Sequence, residues 1–193
     1  MTPVLGARIK SGWAATVLLG GTPDRPVVLD SRRLELSDPE EPATVQPHHA
    51  GSGTPQRDAR VLRSLIGLIE RSAHGNATRL LGEYRDSGWA PTRAVIVVTS
   101  DADPDRITNP HIQIHAMEGQ LFRRVAGEAF TAAGLTCITM LERDLAARAT
   151  HRFGKPAPEL LAELRAWRPV GAGPWRLEQK MAALGAWVSL GDS

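Results

Sequence analysis

Residues 93–130 read RAVIVVTSDADPDRITNPHIQIHAMEGQLFRRVAGEAF, and this segment predicts a strand, a polar loop and a long helix in succession. From Ala94 to Thr99 nearly every residue is apolar and most are β-branched, which is typical of a strand covered on both faces. Two prolines and three aspartates between residues 101 and 110 predict the loop. From about Ile112 to Ala133 apolar residues recur at helical spacing, so the whole segment predicts one unit of an α/β fold.

The residues before this unit predict antiparallel strands. Residues 4–19 alternate and then become apolar, which predicts one long strand, bent near Gly12 because an isolated glycine in a strand often marks a bulge. A turn at residues 20–24 joins this strand to a second one over residues 27–36. Residues 43–49 predict a short third strand at the edge of the sheet, since a proline within it cannot donate to a ladder.

The remaining elements alternate between helix and strand. Their predicted ranges are helices over residues 55–73 and 77–86, a strand over 135–141, and helices over 142–150, 159–167 and 175–190. An antiparallel meander of three strands followed by alternating helices and strands predicts an α/β mixed sheet with helices on both faces. We expect a single domain over residues 1–193, with a core over 1–150 and a C-terminal helical extension over 151–193.

The composition narrows the classes of function. The chain has 193 residues and a formal net charge of +2, from 23 basic and 21 acidic side chains, so it lacks the strongly basic character of many nucleic-acid-binding domains. Its single cysteine, Cys137, excludes an internal disulfide. No apolar run approaches the roughly 20 residues of a membrane span, and we expect a cytoplasmic protein. Neither G-x-G-x-x-G nor a P-loop is present, which excludes the common nicotinamide and nucleotide sites.

The order of elements resembles that of the ribonuclease H-like fold, which Holliday-junction resolvases and actin-like ATPases share. Members carry a first strand with the pattern apolar, Asp, any residue, Gly, followed by small residues and another apolar run. Residues 9–17 read IKSGWAATV and fit that pattern except at Lys10. The resemblance covers most of the chain to about Thr150. Actin-like ATPases also need two glycine-rich phosphate hairpins, and because only residues 20–22 offer one, the resemblance disfavours ATP hydrolysis.

The resemblance implies a site at the ends of the central strands. In nucleases of this fold, a carboxylate on strand 1, a second after the middle strand and a third on a late helix hold divalent metal ions. The matching positions here are Lys10, Asp101 and Glu178. Lysine repels a divalent cation and cannot ligate it, so the resemblance implies a degenerate member with Lys10 in the place of a metal. An inward-facing Lys10 would need a carboxylate partner, for which Asp101 and Glu118 are the best candidates. The candidate catalytic residues are Lys10, Asp101, Glu118 and Glu178.

Histidines form a second group of candidates. His111, His115 and Glu118 read H-x-x-x-H-x-x-E and could hold zinc if all three share one helix face. The preceding Asn-Pro pair favours a different interpretation, in which His111 lies at the helix start and off that face. His49 could act as a general base from a neighbouring strand, although a histidine at the surface is the commoner case. The candidate ligand-binding residues are Ser11, His49, His115 and Arg123.

Three functions remain open from the sequence. The first is a non-catalytic ribonuclease H-like module that needs no cofactor, binds nucleic acid or a protein partner, and can form a homo-oligomer. The second is a metal-dependent nuclease or phosphohydrolase with a rearranged Mg²⁺ or Mn²⁺ site made of Asp101, His115, Glu118 and Glu178. The third is a small-molecule-binding protein that uses the loop 101–110. We expect the first function, because Lys10 replaces the strand-1 carboxylate.

Overall fold

The computed structural model describes residues 2–50, 54–171 and 173–192, and these residues form a five-stranded mixed sheet in the order β3-β2-β1-β4-β5. The strands are β1 (Val4–Lys10), β2 (Trp13–Thr22), β3 (Arg25–Glu35), β4 (Arg93–Val98) and β5 (Thr136–Leu141). The α-helices are α1 (Ala59–Asp86), α2 (Pro110–Ala132), α3 (Glu142–Phe153), α4 (Ala157–Ala166) and α5 (Leu177–Val188). Strands β1, β2 and β3 pair antiparallel, whereas β1, β4 and β5 run parallel. The predicted mixed sheet with helices on both faces is confirmed.

The N-terminal segment forms a hairpin, so the prediction of one long strand over residues 4–19 was wrong. Lys10 is the register partner of Trp13, and Ser11 and Gly12 form the turn between β1 and β2. Gly12 has φ +80°, a left-handed conformation that glycine adopts without steric cost. Its carbonyl accepts hydrogen bonds from the backbone of Leu36 at 2.8 Å and of Ser37 at 2.9 Å. The glycine that was interpreted as a bend is therefore a complete reversal, which places Lys10 and Ser11 at the edge of the sheet.

The predicted third strand over residues 43–49 was also wrong. Residues Pro42–Val45 form a short 3-10 helix instead. The Thr44 hydroxyl donates to the Glu41 carbonyl at 2.6 Å and accepts from the Asp38 backbone at 2.9 Å, so the side chain of a residue with high strand propensity stabilises a tight turn. The meander does have three strands, but they are β1, β2 and β3.

The alternating side chains of the central strand separate the two halves of the core. Ala94, Ile96 and Val98 pack into the cluster that α1 and α2 form on one face. Val95 and Val97 pack into a second cluster, with α3, α4 and α5, on the other face. Helices cover both faces of the sheet at β4, which explains why this strand is a continuous run of apolar residues.

Helix α5 lies directly against β1 and β4. A Cβ atom at Gly6 of β1 would lie 1.9 Å from the carbonyl oxygen of Ala182, and one at Gly185 would lie 2.7 Å from a methyl group of Val97. Two glycines thus permit a contact that any other residue would obstruct. This contact brings the first turn of α5, with Glu178, to the sheet.

Helix α1 continues through Gly75 without the predicted break. It begins later than predicted, because the Asp58 carboxylate caps it by accepting hydrogen bonds from the backbones of Arg60 and Val61. None of the helices over the described residues is both long and apolar enough to cross a membrane.

Candidate functional site

The candidate site lies where the parallel strands β1, β4 and β5 end. The carboxyl ends of parallel strands meet at one edge of a sheet, and ligands of open α/β sheets commonly bind there. Lys10 ends β1, Val98 ends β4, and Glu142 follows β5 directly as the first residue of α3. Glu178, in the first turn of α5, reaches the same edge because it contacts Arg8 of β1.

Arg8 places a buried positive charge at this edge of the sheet. Only 5% of the residue is exposed. Its Nε and Nη2 donate to Glu142 Oε2 at 2.9 and 2.7 Å, and its Nη1 lies 3.6 Å from Glu178 Oε1. A buried guanidinium is tolerated only when carboxylates compensate it, and here two do so. Both acids also lie in the first turn of a helix, where the dipole favours negative charge.

Lys10 does not form the ion pair that we expected from the sequence. Neither Asp101 nor Glu118 lies within ion-pairing distance of it, and no partner for it is found among the described residues. The pairing fails because Asp101 is exposed and contacts Arg143 at 3.3 Å, while Glu118 is buried on α2 beside two histidines. The buried cation of this edge is Arg8, two residues earlier in β1.

Lys10 instead lines a cleft of about 210 Å³ between the end of β1, the end of β4 and the side of α2. Its polar lining includes three of the predicted ligand-binding residues, Ser11, His115 and Arg123. Thr99 and Ser100, which follow β4, also line the cleft. Of the predicted loop 101–110, Ala102 lines the cleft.

Glu118 belongs to a separate cluster of histidines. It is 1% exposed, and its carboxylate accepts a hydrogen bond from the His48 backbone at 2.8 Å. The Nδ1 atoms of His48 and His49 lie 3.4 Å from its two oxygens. His49 also contacts the ring of His115, whose Nε2 lies 3.1 Å from that of His111. Glu118 therefore binds residues 48–49 to α2.

The predicted metal ligands are distributed over three places. Glu178 binds Arg8, Asp101 binds Arg143, and Glu118 lies beside His48 and His49, with His115 next to them. Among residues 2–50, 54–171 and 173–192, no three His, Cys, Asp or Glu side chains are arranged to hold a metal ion. A divalent cation does not fit the strand ends, because the carboxylates that contact Arg8 already bind an always-charged guanidinium.

Sequence reasoning missed Arg8 and Glu142. The available signal was the alternation of β1, which places Arg8 on the opposite face from its neighbours Ala7 and Ile9. An arginine between apolar neighbours in a central strand implies a buried charge, and a buried charge implies an acid. The sequence could not identify that acid, because Glu142 is 134 residues away.

Two solved structures resemble this fold over nearly its whole length. The RuvC of T. thermophilus in complex with a Holliday junction substrate has a TM-score of 0.58, with 12% identity, and covers 97% of this chain and 92% of its own. A second Thermus thermophilus RuvC structure has a TM-score of 0.53, with 12% identity and the same coverage. The sequence matches no protein-family model and no curated protein. The ribonuclease H-like fold that we expected from the order of elements is confirmed.

Proposed function

We propose that this chain is a ribonuclease H-like module that binds nucleic acid without cleaving it. The observation that carries the proposal is the Arg8 guanidinium bound to Glu142 and Glu178 at the carboxyl ends of the parallel strands. By resemblance, nucleases of this fold hold metal ions with carboxylates at these ends. In this chain the equivalent charge is supplied by Arg8, with Lys10 beyond it at the end of β1.

Energetics support the loss of metal chemistry. For Glu142 and Glu178 to ligate Mg²⁺ or Mn²⁺, Arg8 would have to give up both partners while remaining 95% buried or move out of the core. Removing the partners of a buried charge costs about 3–5 kcal/mol. Guanidinium stays protonated at any physiological pH, so deprotonation does not relieve that cost.

Nucleic acid is the partner that the charges favour. Lys10 and Arg123 line the same cleft, and neither has an ion-pair partner among the described residues. Unpaired cations around a cleft at the strand ends suit a phosphate backbone. A protein of the same fold has been solved with a Holliday junction substrate, which makes branched DNA the first ligand to test.

The rival function is a metal-dependent nuclease. The observation in its favour is that Glu142 and Glu178 already converge on one edge, where displacement of Arg8 would leave two carboxylates. These are not the ligands that the sequence suggested, apart from Glu178. The rival therefore predicts that Glu142→Gln removes activity.

The deciding experiment measures binding and cleavage of a four-way DNA junction, duplex DNA, single-stranded DNA and RNA, in EDTA and in Mn²⁺. We expect saturable binding of at least one of them in EDTA, unchanged by Mn²⁺, with no cleavage. Cleavage in Mn²⁺ that is lost in Glu142→Gln and Glu178→Gln would establish the nuclease instead. Absence of binding to all four would contradict the nucleic-acid proposal, and the oligomeric state of the same samples would then direct the search to a protein partner.

A further inference from the structure

We propose that the cleft between the end of β1 and α2 binds a phosphate group through Lys10 and Arg123, without a divalent metal ion. This inference rests on the proposed function and names its contact site. The two residues come from different elements, yet both line the same cleft of about 210 Å³. Neither side chain forms a hydrogen bond or an ion pair with another described residue. Like charges at one cleft repel each other, and a bound anion reduces that repulsion.

The neighbouring residue on α2, Arg124, is a cation with ion-pair partners and provides a comparison for Arg123. Arg124 is adjacent to Arg123, but its guanidinium binds Glu70 at 2.9 Å and Glu128 at 2.7 Å. Lys10 and Arg123 lack such partners, and among the described residues that line the cleft there is no aspartate or glutamate. Among the described residues that line the cleft, the charged side chains are therefore all positive.

Neutral donors around the two cations complete a site for a tetrahedral oxyanion. The Ser100 hydroxyl accepts a hydrogen bond from the Ala102 backbone at 3.1 Å, which leaves its O–H free to donate into the cleft. Ser11 and Thr99 add further hydroxyls on the two strand ends, and Gln120 adds an amide on α2. Phosphate has more acceptor oxygens than a carboxylate, so it can accept hydrogen bonds from several donors at once.

The chemistry fits both a phosphodiester of nucleic acid and a free phosphate ester. Two probes separate these sources: inorganic phosphate, followed by calorimetry, and a fluorescent four-way DNA junction in EDTA, followed by anisotropy. The variants are Lys10→Gln and Arg123→Gln, and the matched control is Arg124→Gln, which removes a paired cation from the same helix.

For the junction, we expect each cleft variant to weaken binding about tenfold, because each loses a charge-assisted contact. We also expect the plot of log K against log salt concentration to become less steep, with the magnitude of its slope smaller by about 1 in each variant. The control should retain the affinity and slope of the parent chain. For inorganic phosphate, saturable binding by the parent should disappear in the double variant.

A variant that changes no charge tests the cleft by its shape. Gly119 lines the cleft, and a Cβ atom at this position would meet nothing within 4 Å, so a side chain there enters open space. We expect Gly119→Leu to weaken binding of both probes while its thermal unfolding matches or exceeds that of the parent, since glycine is unfavourable inside a helix.

The outcomes separate this inference from the proposed function. Junction binding that is equal in the parent, Lys10→Gln, Arg123→Gln and Gly119→Leu would overturn the cleft and leave nucleic-acid binding intact elsewhere on the surface. Phosphate binding that the cleft variants abolish, without any binding of nucleic acid, would support the cleft and overturn the proposed function. A requirement of Mn²⁺ for either probe would overturn the metal-independent contact.

Discussion

Arg8 is the residue on which the chemistry of the strand ends depends. It is 5% exposed and bonds to Glu142 through two nitrogens, at 2.9 and 2.7 Å. This geometry resembles the fork by which arginine holds carboxylates, although here both nitrogens share one oxygen. Lys10 is half-buried at the strand end and has no described partner. The two cations therefore differ in role: Arg8 neutralises acids inside the fold, and Lys10 is available to a ligand.

This difference predicts the result of placing a carboxylate at position 10, at the end of β1. We expect Lys10→Asp alone to bind no Mn²⁺, because Arg8 still occupies Glu142 and Glu178. We expect the double variant Arg8→Gln with Lys10→Asp to bind Mn²⁺ saturably, since three carboxylates then lie at the strand ends without a guanidinium. Isothermal calorimetry measures both, and Arg33→Gln with Lys10→Asp, which removes an arginine of an exposed ion pair, is the control. Mn²⁺ binding by the single variant would show that Lys10 alone had blocked the metal.

At the scale of elements, α5 and β1 form the contact that positions Glu178. Gly6 faces the α5 backbone so closely that a Cβ atom would lie 1.9 Å from the Ala182 carbonyl oxygen. Neither backbone can move aside easily, because Gly6 is hydrogen-bonded within the sheet and Ala182 lies in the middle of α5. The spacing of these two elements therefore decides whether Glu178 reaches Arg8.

We expect Gly6→Ala to lower the free energy of unfolding by about 3 kcal/mol or more, since overpacking against backbone is among the costliest changes. Gly75→Ala is the matched control, because a Cβ atom there meets nothing within 4 Å and alanine favours a helix by about 0.5–1 kcal/mol. Urea unfolding followed by circular dichroism measures both. A Gly6→Ala chain as stable as the parent would mean that α5 does not lie on β1 at this distance.

A polar network anchors α1 to the sheet. The hydroxyl of Tyr84, on α1, donates to Asp30 Oδ2 on β3 at 2.7 Å, and Arg32 Nε donates to the same oxygen at 2.6 Å. Burial, followed by the Asp30 charge, raises the pKa of Tyr84 far above its usual value. The hydrogen bond to Asp30 holds the pKa of Arg32 above its usual value as well. The phenol thus stays protonated in the folded chain at pH values where an unfolded tyrosine ionises.

This shift predicts a dependence of stability on alkaline pH. Because the folded pKa is raised, the stabilisation is complete below the unfolded pKa of about 10 and is lost as pH rises above it. We expect the free energy of unfolding to fall by up to about 1.4 kcal/mol per pH unit above pH 10, and Tyr84→Phe to remove that part of the slope. Tyr84 is the single tyrosine of the chain, so its phenolate absorbance reports the titration directly. A phenolate signal that develops near pH 10 in the folded protein would contradict the prediction.

At the scale of the whole molecule, two apolar layers cover one sheet. The first layer, α1 and α2, comes from residues before 150, whereas α4 and α5 of the second layer come from residues 151–193. Val17, Leu19, Val95 and Val97 are each 0% exposed beneath that second layer. We propose that residues 1–193 form one cooperative domain in which the predicted extension covers a face of the core.

We therefore expect residues 1–150 alone not to fold. Exposure of those four side chains would cost roughly 6–12 kcal/mol, at about 1.5–3 kcal/mol each, which is comparable to the whole stability of a domain. The measurement is the near-ultraviolet circular dichroism and urea unfolding of the shortened chain beside the full chain. A cooperative transition in residues 1–150 would show that the C-terminal helices are an accessory layer.

Local patterns in the sequence were sufficient for most of the elements and for their order. The β-branched run from Ala94 to Thr99 predicted the buried strand, and the helical spacing after Pro110 predicted α2, because both depend on neighbours a few residues apart. Together with the strand-1 pattern of residues 9–17, they led to the ribonuclease H-like fold. The same local patterns misled at Gly12, where a bend and a reversal share one signal, and at residues 43–49, where tertiary packing and the Thr44 hydroxyl outweighed strand propensity.

Only the tertiary structure decided which charges meet. Arg8 and Glu142 are 134 residues apart, and Glu118 lies 70 residues from His48, so no local pattern connects either pair. The sequence indicates that a buried charge needs a partner. Which residue becomes the partner depends on the parallel pairing of β1, β4 and β5 and on the contact of α5 with Gly6. The separation of Asp101, Glu118 and Glu178 into three surroundings follows from the same packing, because each lies in a different part of the fold and contacts a different partner.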